Sequence, residues 1–203
     1  MTGQQLKNSI LQMAVQGKLV PQDPNDEPAS VLLARIRKEK EELIKAGKIK
    51  KEKNPSYIFR GADNLPYEKV GKNESVCIAD EVPFEIPESW EWAKIETISM
   101  PIGNKNNQIQ SKEVLPTGKI PVVSQGKDLI DGYCNDVSKK IDVLPLVMFG
   151  DHTRNVKYID FEFVIGADGT KFHKILSCNS EYIYYWMLYA AETLRNRGYA
   201  RHY

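Results

Sequence analysis

The stretch from Phe149 to Leu176, FGDHTRNVKYIDFEFVIGADGTKFHKIL, places the tightest limit on how this chain can fold. It continues an apolar run, Val143-Leu144-Pro145-Leu146-Val147-Met148-Phe149, which breaks at Gly150 into Asp151-His152-Thr153-Arg154. A second apolar run, Phe161 to Ile165 with Glu162 inside it, breaks at Gly166-Ala167-Asp168-Gly169. Short runs rich in β-branched and aromatic residues, stopped by Gly and Asp, predict buried strands that end in tight turns. Two polar turns carried by a rigid sheet suit the recognition of something polar and charged.

Upstream the pattern is helical. Leu6, Ile10, Met13 and Ala14 recur at helical spacing, and Gly17 is a natural stop. The helix is short, so it needs a packing partner. A turn at 23–28 precedes a second helix, expected from about Pro28 to Ala46, with Leu32, Ile36 and Leu43 on one face and Gly47 as its cap. The pair reads as a helical hairpin over residues 1–53, with its apolar stripe meeting helix 1 and another chain. Residues 54–81 have little periodicity and read as a linker with one or two short ordered pieces.

The second domain is expected over 82–203. It opens on the proline-punctuated approach Pro83 to Trp92, continues through the loop-like residues 101–118, and reaches a short strand at Ile120–Ser124, stopped by Gln125-Gly126. Asp131-Gly132 marks another turn. Ile183, Trp186, Met187, Ala190 and Leu194 form a helical stripe within 181–194. The end, Arg195 to Tyr203, is basic and aromatic, and a turn at Gly198 would aim Tyr199, Arg201 and His202 back at the sheet. The fold class is therefore α/β (α+β): N-terminal helices, then a mixed-sheet domain closed by a C-terminal helix.

The 203 residues are 41% hydrophobic and 27% charged, which suits a chain that buries a real core. No run of about 18 apolar residues occurs, and MTGQQLKNSILQMAV lacks the basic start and apolar segment of a secretory signal. Cys77, Cys134 and Cys178 lie far apart and have no zinc spacing, so reduced thiols and a cytoplasmic location are expected. Net charge is only +1, yet its distribution is uneven. Residues 35–53 carry nine basic and four acidic side chains, whereas 80–96 carry six acidic and one basic. A near-neutral total can thus hide a basic face.

No G-x-S-x-G nucleophile, Walker loop or HExxH metal spacing is present among His152, His173 and His202. Asn54-Pro55-Ser56-Tyr57 matches part of an amino-methyltransferase motif, but the 53 helical residues before it hold no Gly-rich cofactor turn. Trp90 and Trp92 are able to stack on bases, though their acidic neighbours favour packing instead. Recognition without catalysis fits better. Ser124, Gln125, Lys127, Asn135, His152, Thr153, Arg154, Asn155 and Lys171 are candidates to reach base edges or phosphates, joined by Tyr199 and Arg201 from the tail. Two other classes stay open: a small metal-dependent nuclease using Asp151, Asp160 and Glu162, and a protein–protein scaffold without DNA contact.

Several of these pieces resemble the specificity subunit of type I restriction-modification systems. ILQMAVQGKLVPQDPNDEPASVLLARIRKEK is similar to its helical segment, and VPFEIPESWEWAKIETI to the entry of a target recognition domain. IPVVSQGKDLIDGY, VMFGDHTRNVKYIDFEFVIGADGTKF and EYIYYWMLYAAETLRNRGYARHY also look like such a domain. The resemblance implies a non-catalytic, DNA-binding subunit that reads a half-site in double-stranded DNA. It further implies methyltransferase (modification) subunits and restriction/translocase subunits as partners. S-adenosylmethionine, ATP and Mg would be used by those partners, with no cofactor of the chain's own. With one helical segment and one target recognition domain, the chain corresponds to about half of the usual subunit, and a second copy of itself is an expected partner.

Overall fold

The computed structural model describes residues 1–166 and 169–194. These fall into two units, one of residues 1–100 with 176–178, the other of the described residues in 101–175 with 179–194.

In the first unit, helix α1 (Gly3–Val15) starts at Thr2, whose hydroxyl accepts from the Gln5 N–H while Gln5 reaches back to the Thr2 N–H. This reciprocal cap satisfies donors that a helix start leaves open. The expected stripe on α1 is not covered: Leu6, Ile10 and Met13 are 51%, 46% and 43% exposed, and Val15 is the buried residue. Helix α2 (Ala29–Lys45) ends as expected at Gly47. There a φ of +68° lets the Lys48 N–H return to the Leu43 carbonyl and the Gly47 N–H to that of Ile44.

The residues α2 buries are Leu33 and Ile36, while Leu32 and Leu43 are only half-buried. The expected face is therefore turned by part of a helical step. Ile36 is fully buried within the single chain, so its burial calls for no second chain. α2 packs on the short helix α3 (Ile95–Ile98).

The stretch expected as a linker carries a three-stranded antiparallel sheet: β1 (Ser56–Arg60), β2 (Pro66–Val70) and β3 (Val76–Cys77), in that order. Its strands are two to five residues long. Its aromatic pair, Phe59 and Tyr67, lies directly across the ladder with ring centroids 6.0 Å apart. Trp90 donates to Gln22 and Trp92 packs on Phe84, so both indoles are used inside this unit, in line with the packing reading.

The second unit is built from mixed sheets, as the sequence predicts. β4 (Ser99–Ile102), whose last two residues begin this unit, is followed by β5 (Ile120–Val123), β6 (Gly132–Cys134), β7 (Leu146–Gly150), β8 (Val156–Ile159), β9 (Val164–Ile165) and β10 (Thr170–Ile175). One sheet has the order β4-β10-β7-β8, and the other the order β6-β5-β9 with β5 and β9 parallel.

Every residue of β7 is buried. Alternation sends Leu146 and Met148 into a core with Val123, Ile159, Phe163 and Phe172, and turns Val147 to the opposite face. Helix α4 (Ser180–Leu194) packs on β8, β7 and β10. The apolar continuity of 146–149 is thus that of a strand covered on both faces, whereas Val143 lies exposed ahead of it.

Candidate nucleic-acid interface

Three strand ends and one strand start meet at a single edge of the second unit. β5 and β9 run parallel and end together, where the Gly166 N–H donates to the Val123 carbonyl at 2.9 Å. β7 ends and β10 begins beside them, with Gly150 opposite Thr170 in the ladder. The turns that leave these strands, 124–127, 151–155 and the one at Gly169, are consequently held against one another.

Gln125 is the hub of that cluster. Its carbonyl accepts from the Thr153 hydroxyl at 2.7 Å and from Asn155 Nδ2 at 2.9 Å, and its side-chain Oε1 accepts from the His152 N–H at 3.2 Å. The Asp151 N–H donates to the Gly169 carbonyl at 2.7 Å. A Cβ on Gly169, which sits at φ +79°, would stand 2.8 Å from Gln125 Nε2 and 3.1 Å from His152 Cδ2. Only glycine enters such a position without strain.

Ser124 is tied on both sides. Its hydroxyl donates to the Asp131 carboxylate, and its carbonyl accepts from Lys157 Nζ at 2.7 Å. Lys157 is only 5% exposed, in β8 opposite Met148. Burial pushes its ammonium below the ordinary lysine pKa, an effect partly offset by Asp131 and Asp128. A lysine in a strand reads as a solvent-facing residue, so neither this role nor the Asp131 contact is legible in the sequence.

The structure thus brings Ser124, Gln125, His152, Thr153 and Arg154 together, with Lys127 on the same turn. His152, Thr153 and Lys127 are exposed, while Ser124, Gln125 and Arg154 are half-buried. Lys171 is exposed in β10, two residues past Gly169, and faces Phe149 across the ladder. Asn135 is exposed on the turn after β6, outside these hydrogen bonds. Tyr199, Arg201 and His202 lie outside the described residues.

Two polar atoms in the 151–154 turn are enclosed without a hydrogen-bond partner, Asp151 Oδ1 and Arg154 Nη1. Asp151 is 9% exposed, and Arg154 sits at φ +59°, which non-glycine residues adopt rarely. Each such atom costs on the order of 1–3 kcal/mol, and both fall in one four-residue turn. The turn therefore holds unused hydrogen-bonding capacity at the centre of the cluster.

The residues considered for metal-dependent cleavage do not assemble. Asp151 is buried, Asp160 is exposed, and Glu162 pairs with Lys140 at 2.7 Å. Among the described residues no three His, Cys, Asp or Glu side chains are grouped so as to hold a metal ion. No described helix is long and apolar enough to cross a membrane.

No family model matches the chain, and no solved structure matches it. Three curated proteins of Escherichia coli do. The chain is 50% identical over 93 residues to the type I restriction enzyme EcoAI specificity subunit and 49% identical over 94 residues to that of EcoEI. It is 30% identical over 86 residues to the EcoR124I/EcoR124II specificity subunit. The matches cover 46%, 46% and 39% of this chain, but only 13%, 13% and 21% of those proteins. Nearly half of this chain is thus homologous to part of the specificity subunits of type I restriction enzymes.

Proposed function

We propose that the chain is a non-catalytic DNA-recognition module of a type I restriction-modification complex, and that its second unit reads duplex DNA with the turns 124–127 and 151–155. The observation that carries this reading is the convergence of those turns on Gln125, which sets exposed Lys127, His152 and Thr153 on one rigid edge of a protein homologous to specificity subunits. Rigid presentation matters because base readout needs donors and acceptors held in fixed register with a groove. Lys127, Lys171 and Arg154 supply the phosphate-directed charge, and His152 and Thr153 the polar contacts to base edges. Tyr199 and Arg201 belong to the same proposal. Ser124 and Gln125 act mainly by holding the turns, since their polar groups are engaged within the protein.

The partners in this reading are the methyltransferase and restriction/translocase subunits, with S-adenosylmethionine, ATP and Mg used by those subunits. A second copy of this chain would supply the other half-site reader.

The test begins with selection of bound duplexes from a random pool, then measures fluorescence anisotropy on the selected site at several salt concentrations. Lys127→Ala and Arg154→Ala are each expected to weaken binding and to reduce the salt slope by about one unit per lost phosphate contact. Unchanged affinity and slope in both folded variants would remove these turns from the interface.

A further inference from the structure

The acidic stretch 80–96 has no place on a phosphate-facing surface, since six carboxylates would repel the duplex. Instead it contributes to a cavity of about 500 Å³ inside the first unit. Phe59, Phe84 and Trp92 line it, with the last two rings 5.3 Å apart and tilted by 50°. Glu85, Glu88 and Glu91 line it as well, spaced three residues apart, and Asp63 adds a fourth carboxylate. The one cation among the lining residues is Arg60, and its guanidinium is directed at protein acceptors. Nη1 reaches Asn64 Oδ1 at 3.1 Å, and Nη2 lies 3.4 and 3.3 Å from the Pro87 and Trp90 carbonyls.

The Asp63 carboxylate already accepts from the Tyr67 hydroxyl and the Leu65 N–H, so Glu85, Glu88 and Glu91 against one engaged guanidinium, set among aromatic faces, are the chemistry that accepts a cation. The ring quadrupole attracts it over the faces, and the carboxylates take its N–H donors. The volume falls within the range of sites that enclose a small group. Asp80 and Glu81 are exposed between the lining residues Ala79 and Val82, which adds negative charge at the rim of the cavity. That added charge matches several charges in a row better than a single small cation. We propose that this cavity is a docking site for a lysine or arginine side chain on a basic segment of a partner polypeptide. It is independent of the DNA-recognition reading and uses the other unit of the chain.

The experiment uses the full chain, 15N-labelled, titrated with three ten-residue peptides in a Gly/Ser background carrying three Lys, three Arg or three Glu. The two basic peptides are expected to shift the Trp92 indole and the Phe84 and Glu85 amides saturably, and the Glu peptide to leave them in place. The Glu85→Gln/Glu88→Gln/Glu91→Gln variant should bind the basic peptides about tenfold more weakly while its amide spectrum stays folded and its DNA affinity is kept. Equal shifts from basic and acidic peptides, no shift from either basic peptide, or undiminished binding by the triple variant would each overturn the proposal. So would shifts at Trp92 that track protein concentration alone, since the occupant would then be a second copy of the chain.

Discussion

His173 offers a stability test with a sign and a size. It lies in β10 opposite Val147, 3% exposed. Burial first, and the Lys171 cation second, push its pKa down from 6.5 to about 4. In the unfolded chain the imidazole takes its proton near 6.5, whereas in the folded chain it stays neutral down to about pH 4. Between these values the unfolded state binds more protons, so stability rises with pH. The contribution is fully present above about pH 6.5, is lost as pH falls, and levels off below about 4. At 1.36 kcal/mol per pH unit the gap amounts to about 3 kcal/mol. Other acid-sensitive groups add their own slopes, so the informative quantity is the difference between the wild type and His173→Gln. Urea unfolding at intervals from about pH 7.5 to about 4.5, read through the α4 residue Trp186, should give a steeper loss for the wild type. A direct NMR titration should place the imidazole near 4. An NMR value close to 6.5, or parallel pH profiles for the two proteins, would refute the burial argument.

Gly169→Ala puts a methyl group at a left-handed φ and against Gln125 Nε2. The backbone conformation alone should cost about 1–2 kcal/mol, read as a fall in melting temperature. The push on Gln125 should lower DNA affinity of the folded fraction in anisotropy, and unchanged affinity would show that the hub does not position the turns for binding. Ile36→Glu places a carboxylate at a fully buried position of α2, at a cost of several kcal/mol in denaturant unfolding. Light scattering of that variant should match the wild type, because Ile36 is covered within the single chain. A changed mass would restore the idea of a partner helix on this face.

The strands of the organising stretch are legible because their signals are local. Val147-Met148-Phe149 is apolar at every position, which a singly covered strand does not tolerate, and the Gly150 break stands at the end of β7. Likewise Gly47 sits at the helix cap it predicts. The second apolar run is less faithful to the structure. Phe161–Ile165 reduces to the two residues of β9, Phe163 being held by a single bridge to Ile141. The small sheet at 56–77 escapes a sequence reading for a different reason. Its strands are two to five residues long and nearly all half-exposed or exposed, so no buried alternation or long apolar run stands out. On α2, Leu32 and Leu33 are adjacent, and both satisfy the helical spacing with Ile36. Only packing on α3 decides which of the two turns inward.

At the candidate site, sequence patterns reach the turns but not the reason they hold together. Ser124-Gln125 and Asp151–Arg154 stand out as polar breaks after apolar runs, and each break is visible alone. That they share one edge depends on β5 lying parallel to β9 while β7 runs antiparallel to β10, a pairing of segments some 20 to 42 residues apart that no local pattern encodes. Lys157 is the residue this pairing affects most. Its alternation with Val156 and Tyr158 is that of an ordinary strand lysine, yet the register opposite Met148 turns it inward, beneath the Ser124 carbonyl. A buried ammonium costs stability unless its donors are used. Its bond to Ser124 offsets part of that cost, and the same bond fixes the start of the 124–127 turn. The stabilising contact and the positioning contact are therefore one interaction. Lys157→Met keeps the length of the side chain and relieves the buried charge, so it frees the turn while leaving the core filled. Its melting temperature should equal or exceed that of the wild type, while its DNA affinity falls in anisotropy. Unfolding at lower temperature with unchanged affinity would show instead that Lys157 serves the core alone.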